Sequence, residues 1–129
     1  MTVKTCLLVT DDPDDHQAFS EAFAEISENA VVLIVLDSLK ALALIKSQRH
    51  TPDYIFLDLS MHNIRINTFL NTIRSSSEMK DTPTVVYGDE TSLIKIEPSD
   101  NIVFFNKHYE YSELREFLAG FLNNEKKMS

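Results

Sequence analysis

The sequence predicts an α/β protein in which a parallel five-stranded sheet lies between two layers of helices. Five short runs are rich in Val, Ile and Phe and are apolar on both faces, which is typical of strands buried between helices. The segments between these runs are polar or amphipathic. Because parallel neighbours need a crossover connection, the pattern indicates a (βα)5 three-layer sandwich with right-handed crossovers.

The predicted strands recur along the whole chain, so one domain accounts for all of them. They are Cys6–Val9, Val31–Leu36, Tyr54–Leu57, Thr84–Tyr87 and Ile102–Phe105. A chain of 129 residues is long enough for one domain with a core of its own. We therefore expect one domain over residues 1–124 and a polar C-terminal tail over residues 125–129.

The first helix is predicted over Asp14–Ile26, where apolar residues recur at helical spacing. Its predicted N-cap is Asp14 or Asp15, and Pro13 fixes the turn that precedes it. The residues of its apolar face are Ala18, Phe19, Ala22, Phe23 and Ile26.

The remaining connections predict three clear helices and one weak one. The second helix covers Leu39–Ser47 behind an N-cap at Ser38, and the last helix follows an N-cap at Ser112. The apolar faces are Leu42 and Ile45 in the second helix, Ile66, Phe69, Leu70 and Ile73 in the third, and Leu114, Phe117, Leu118 and Phe121 in the last. Asp89–Asn101 shows no clean period and contains Pro98, which predicts a shortened or irregular fourth helix.

The composition excludes several classes of function. Acidic residues outnumber basic ones by 20 to 12, which argues against binding to nucleic acid. No apolar stretch approaches the roughly 20 residues that cross a bilayer, and no signal-peptide core follows the N-terminus. The single cysteine, Cys6, is expected to be a core residue, and a cytoplasmic protein follows. Two glycines are too few for a Gly-rich nucleotide-binding loop.

The residues that directly follow four of the predicted strands lie at the sheet edge where open parallel sheets bind ligands. They are Thr10, Asp11 and Asp12 after the first strand, Asp58 after the third, Gly88 and Asp89 after the fourth, and Asn106 and Lys107 after the fifth. We expect the carboxylates of Asp11 and Asp58 and the ammonium group of Lys107 to converge there. Asp14 and Asp15 are assigned to the start of the helix, while Asp12 fits either role.

The chain resembles the receiver domains of bacterial response regulators, which have the CheY-like, flavodoxin-like fold. The resemblance rests on LLVTDDPDD (7–15), DYIFLDLSM (53–61), TPTVVYGD (82–89) and IVFFNKH (102–108). It extends over essentially the whole chain, and it implies a strand order of 2-1-3-4-5.

The resemblance also implies a site and a chemistry. Asp58 is the expected phosphoacceptor, phosphorylated by a sensor histidine kinase or a histidine phosphotransfer protein. The implied ligands of Mg²⁺ are the carboxylates of Asp11 and Asp58 and the backbone carbonyl of Ser60, with Asp12 as a further candidate. Lys107 is the implied charge partner of the phosphoryl group.

Several residues depart from the usual receiver pattern. Thr10 stands where receivers carry an outer acid, and Gly88 stands where a Ser or Thr contacts the phosphoryl group. The coupling to the switch aromatic at Phe104 is therefore weakened. His62, Ile66 and His108 also differ from the residues usual in receivers.

We therefore expect an atypical single-domain receiver that retains phosphoacceptor chemistry and signals through contacts with a downstream protein. It would not be an enzyme, beyond catalysing its own phosphotransfer and dephosphorylation. The alternative is a degenerate pseudo-receiver that binds partners without phosphorylation. A third reading, a small flavodoxin-like enzyme or flavin carrier, is disfavoured because the chain lacks a Ser/Thr/Gly phosphate loop.

Overall fold

A computed structural model describes most of the chain. The described residues are 4–26, 30–47, 52–61, 66–77, 79–88, 102–106 and 109–128. The predicted helix between residues 89 and 101 lies outside these ranges, so its prediction stays untested.

Five parallel strands form one sheet, which confirms the predicted fold class. They are β1 (Lys4–Val9), β2 (Ala30–Val35), β3 (Tyr54–Asp58), β4 (Thr84–Gly88) and β5 (Ile102–Asn106). The order is β2-β1-β3-β4-β5, and every neighbouring pair is parallel. Each of the last three strands extends one residue beyond its prediction, so the sheet itself includes the strand-end residues that were expected just after it.

Four helices cover the two faces of the sheet in the described part of the chain. They are α1 (Pro13–Ile26), α2 (Ser38–Ser47), α3 (Ile66–Ser75) and α4 (Tyr111–Met128). The backbone of α4 continues into the predicted polar tail, while the domain boundary stays a prediction. None of these described helices is long and apolar enough to span a bilayer.

The N-cap of α1 lies earlier than predicted. The carboxylate of Asp12 accepts the backbone N–H of Asp14 at 2.9 Å, and Pro13 occupies the first helical position. The prediction of Asp14 or Asp15 as the cap is therefore wrong. The physical reason is that proline is favoured at the first helical position, which places the cap at the residue before it.

The caps of α2 and α4 also differ from prediction. The carboxylate of Asp37 accepts the backbone N–H two residues later at 2.7 Å, so Asp37 and not Ser38 caps α2. At α4, Glu113 reaches back to accept the backbone N–H of Glu110 at 3.0 Å, whereas Ser112 was the predicted cap. The α4 contact is the Glu half of a capping box, which satisfies a donor at the start of the helix.

Apolar residues fill both faces of the sheet. On the face covered by α1 and α4, the buried residues are Cys6, Leu8, Phe19, Ala22, Phe23, Tyr54, Phe56, Val85, Tyr87, Leu114, Leu118 and Leu122. On the face covered by α2 and α3, they are Leu7, Val9, Val35, Ala41, Ile55, Leu57, Met61, Phe69, Ile73 and Met79. Both faces of β1 and β3 are thus buried, as their sequences predicted.

A row of aromatic rings runs between β5 and α4. Phe105 stacks on Tyr109 with ring centroids 5.8 Å apart, and on Phe117 with centroids 4.4 Å apart. Phe117 in turn stacks on Phe121 at 6.0 Å. The three interplanar angles lie between 16° and 26°, so each ring is stacked on the next one in the row.

The thiol of Cys6 provides a test of the core. The residue is fully buried, as expected, and burial together with the charge of Asp53 raises the pKa of its thiol to about 12. Because the thiolate is the reactive form, we expect no reaction with Ellman's reagent in the native protein at pH 8. One thiol per chain should react after denaturation, and the Cys6→Ala variant should show none. Rapid reaction of the native protein would contradict the burial.

Candidate functional site

Asp58 lies at the carboxyl end of β3, in the middle of the sheet. It pairs with Tyr87 of β4, and the pairing of Val9 with Leu57 places Thr10 beside it on the other side. Asp58 is 0% exposed. A parallel sheet with β1 and β4 on either side of β3 therefore surrounds the Asp58 carboxylate with residues at the ends of β1 and β4.

The two oxygens of Asp58 have different surroundings. Oδ1 accepts both the backbone N–H and the hydroxyl of Ser60, at 2.9 and 2.7 Å. Oδ2 accepts the hydroxyl of Thr10 at 2.7 Å. Ser60 is exposed whereas Thr10 is fully buried. Oδ1 therefore faces the outer part of the site, and Oδ2 faces the interior.

Thr10 holds the interior side of the site together. Its hydroxyl lies 3.4 Å from Asp15 Oδ2 as well as 2.7 Å from Asp58, and it accepts the backbone N–H of Asp12 at 3.2 Å. Its backbone carbonyl is 2.8 Å from His16 Nε2. The sequence indicated only that an acid was missing at this position. The structure shows that the hydroxyl donates to Asp58 and also lies near a second carboxylate, that of Asp15.

Asp15 is a site residue that the sequence reasoning missed. It lies in the first turn of α1, as predicted, yet it is only 4% exposed. Its Oδ1 accepts the hydroxyl of Tyr109 at 2.6 Å, and its Oδ2 accepts the hydroxyl of Tyr87 at 3.1 Å. A signal was present in the sequence, because Asp15 precedes Phe19 by four residues and so continues the apolar face of α1.

Both tyrosine hydroxyls are held in their protonated form. Burial, followed by the negative charges of Asp15 and Asp58, raises the pKa of Tyr87 above its ordinary value. Burial and the hydrogen bond to Asp15 raise the pKa of Tyr109 in the same direction. Both side chains therefore remain hydrogen-bond donors at neutral pH, which the buried Asp15 carboxylate requires.

The oxygen atoms near Asp58 suit a hard cation. Asp11 lies exposed directly after β1, and Asp12 is half-buried while its Oδ1 caps α1. In the part of the chain that the structure describes, no three acidic, His or Cys side chains form a metal-binding cluster. Mg²⁺ keeps several water ligands and needs only one or two carboxylates, and Asp58 and Asp11 supply ligands of that type. That these two carboxylates converge on one cation stays a prediction.

A close approach of two chain segments requires a glycine at position 88. A Cβ atom at this position would lie 2.9 Å from the Cβ of Leu59, which is closer than Cβ atoms come in proteins. The hydroxyl-bearing residue usual in receivers would not fit beside Leu59 without a shift of the backbone. This explains the glycine, which the sequence alone marked only as a departure.

One predicted site residue, Phe104, lies apart from this cluster, and another, Lys107, is not described. Phe104 pairs with Val86 in the sheet and is 37% exposed, on the face opposite to Thr10 and Asp58. Lys107 lies outside the described residues, so its convergence with Asp58 stays a prediction. The described cluster is therefore built from β1, β3, β4, α1 and the residue Tyr109.

The sheet order β2-β1-β3-β4-β5 with helices on both faces is that of response regulator receiver domains, and this chain has that fold. Solved receiver structures match it over more than nine-tenths of its length. The chain is not matched by any sequence model of a known family, nor by the sequence of any curated protein.

Among the solved structures that are similar to this chain are several response regulators. The phosphorylated cyanobacterial phytochrome response regulator RcpA matches with a TM-score of 0.74 and 24% identity, covering 93% of this chain and 91% of its own. The chemotaxis response regulator CheY4 of Vibrio cholerae matches with a TM-score of 0.74 and 25% identity, covering 91% and 97%. The Mn²⁺-bound response regulator Rcp1 has a TM-score of 0.71 and 23% identity, covering 91% and 90%.

The raised pKa of Tyr87 predicts a loss of stability in alkali. An unfolded tyrosine ionises near pH 10, while folded Tyr87 keeps its proton to higher pH. The stabilisation is therefore complete below about pH 10 and is lost as the pH rises above it. Urea unfolding between pH 9 and 11 measures how the free energy of unfolding falls with pH. This fall should be less steep in Tyr87→Phe than in the wild-type protein, by up to about 1.4 kcal/mol per pH unit. Equal slopes in both proteins would contradict the assignment.

The contact between Gly88 and Leu59 predicts the outcome of restoring a hydroxyl. Gly88→Ser should lower the free energy of unfolding by about 1–3 kcal/mol, because the new Cβ overlaps that of Leu59. In a Leu59→Gly background the added cost should shrink, since the opposing Cβ is absent. Leu59→Ala retains that Cβ and is the matched control, so most of the cost should persist there. An equal cost in all three backgrounds, measured by urea unfolding, would refute the steric explanation.

Proposed function

We propose that this chain acts as a response regulator receiver that accepts a phosphoryl group on Asp58 and signals through protein–protein contacts. The observation that carries the proposal is the environment of Asp58. One carboxylate stands at the centre of the sheet edge, with Oδ1 directed to the exposed Ser60 and Oδ2 bound by the buried Thr10. The receiver fold supports the same conclusion.

Phosphoryl transfer would take place at Oδ1. The N–P bond of a phosphohistidine on the partner breaks, its electron pair stays on the imidazole nitrogen, and an O–P bond forms to Asp58 Oδ1. Asp58 is fully buried, so the hydroxyl of Ser60 must first rotate away from Oδ1. The bond from Thr10 to Oδ2 holds the carboxylate in one orientation while the other oxygen reacts.

A divalent cation fits the same site. Mg²⁺ would be held by the carboxylates of Asp11 and Asp58 and the backbone carbonyl of Ser60, with Asp12 as a further candidate. When bound, it supplies positive charge to the phosphoryl oxygens, and we assign a similar role to Lys107. The Mn²⁺-bound state of Rcp1 and the phosphorylated state of RcpA support this part of the proposal.

The proposed partners are proteins. A sensor histidine kinase or a histidine phosphotransfer protein would supply the phosphoryl group, and a downstream target would bind the phosphorylated form. The likeness to chemotaxis and phytochrome response regulators supports this role in signalling.

Phosphorylation by a small donor tests the proposal. After incubation with acetyl phosphate and Mg²⁺, the intact mass should rise by one phosphoryl group, and EDTA should prevent the rise. Asp58→Asn should abolish the increment because its amide is not a nucleophile. Asp11→Asn should raise the Mg²⁺ concentration that is needed. Asp81→Asn, which removes an exposed carboxylate remote from the site, is the control and should leave the reaction unchanged.

Two results would reject the proposal. The wild-type protein could show no increment at any Mg²⁺ concentration, which would argue against a phosphoacceptor. An increment that persists in Asp58→Asn would instead place the phosphoryl group on another residue.

A further inference from the structure

One buried hydroxyl links Asp58 to a second carboxylate that the proposed phosphotransfer does not use. Thr10 Oγ1 lies 2.7 Å from Asp58 Oδ2 and 3.4 Å from Asp15 Oδ2. A threonine hydroxyl has a single hydrogen atom, so it donates fully to one acceptor at a time. The shorter distance indicates that the proton points to Asp58 in this structure.

We infer that Thr10 is a hydroxyl relay that transfers a change at Asp58 to Asp15, and through Asp15 to Tyr87 and Tyr109. The inference rests on the proposed function, because phosphorylation is the change at Asp58 that the relay would report. Thr10 is a positioning residue in this scheme, since it would act through the two carboxylates and not on the phosphoryl group itself.

The driving force is a change in acceptor strength. When Oδ1 carries a phosphoryl group, Oδ2 of Asp58 becomes the carbonyl oxygen of an acyl phosphate. A hydrogen bond to a carboxylate is roughly twice as strong as one to a neutral oxygen. The carboxylate of Asp15 then becomes the stronger acceptor within reach of Thr10, and the hydroxyl turns towards it.

This turn has a direct effect on the tyrosines. Thr10 and Tyr87 share one acceptor atom, Oδ2 of Asp15, at 3.4 and 3.1 Å. A shorter bond from Thr10 to that atom weakens the bond from Tyr87. The other oxygen of Asp15 holds the hydroxyl of Tyr109 at 2.6 Å. A shift of this carboxylate therefore reaches both β4 and Tyr109, which lies two residues before α4.

The usual route of readout is obstructed in this chain. The strand-end residue Gly88 has no hydroxyl, and Leu59 occupies the space that a larger side chain would need. Thr10 and Asp58 also lie on the opposite face of the sheet from Phe104. The path through Asp15 needs no such side chain. Every group in it already lies within or near hydrogen-bonding distance of Asp58 or of the next group along the path.

A double-substitution experiment tests the relay without requiring phosphorylation. Asp58→Asn replaces the carboxylate with a neutral amide of the same shape, so it reproduces the loss of acceptor strength. The readout is the tyrosine Cζ resonance in carbon-13 NMR, assigned among the four tyrosines by Tyr→Phe substitution. We expect Asp58→Asn to shift the resonances of Tyr87 and Tyr109.

The relay makes this shift depend on Thr10 and Asp15. The negative charge of Asp58 also acts on both tyrosines directly, so Asp58→Asn produces a small shift in every background. The shift should be clearly smaller in a Thr10→Val background and unchanged in a Thr10→Ser background, which keeps the hydroxyl. It should also be smaller in an Asp15→Asn background, which tests the relay if Thr10→Val does not fold. Asp53→Asn changes a carboxylate that accepts the backbone N–H of Thr5 at the far end of the sheet, so it should leave Tyr87 unshifted.

The failure of the relay and the failure of the proposed function are distinguishable. An equal shift in the Thr10→Val background, or no shift in any background, overturns the relay. Incorporation of phosphate is measured separately by intact mass on the wild-type protein. A coupled shift without phosphate incorporation would support the relay and reject the phosphoacceptor, whereas incorporation without coupling would do the reverse.

Discussion

The carboxyl edge of the sheet depends on keeping two buried carboxylates supplied with hydrogen-bond donors. Asp58 and Asp15 are both nearly inaccessible to water, and a buried polar group without a partner costs about 1–3 kcal/mol. Thr10 lies between them, and the hydroxyls of Tyr87 and Tyr109 donate to Asp15. These donors come from separate parts of the chain, so the cluster exists only when the domain is folded.

This requirement also fixes the alignment of the strands. Thr10, Asp58 and Tyr87 point to the face of the sheet that α1 and α4 cover, together with Leu8 and Phe56. Shifting one strand by a single residue would turn its polar residue to the other face and leave a carboxylate without a donor. The apolar pattern and the polar cluster therefore select the same register.

Much of this architecture could be read from the sequence, because strands that are apolar on both faces have few alternatives to a covered parallel sheet. The position of Asp58 followed from that pattern and is as expected, although its role stays a prediction. The sequence did not indicate the interior role of Asp15, because an acid in the first turn of a helix is already explained by the helix dipole. The contact between Gly88 and Leu59 depends on how closely two neighbouring strand ends approach, which no pattern along one strand reports.

The row of stacked rings ties the residues before α4 to the body of that helix. Tyr109 and Phe117 both stack on one ring of β5, that of Phe105. The ends of the row are also fixed by edge contacts with the core, Tyr109 against Phe19 and Phe121 against Tyr54 and Phe56. Phe105 is therefore a common support for α4 and for the segment that leads into it, and a change in the position of Tyr109 reaches the helix through side-chain packing as well as through the backbone.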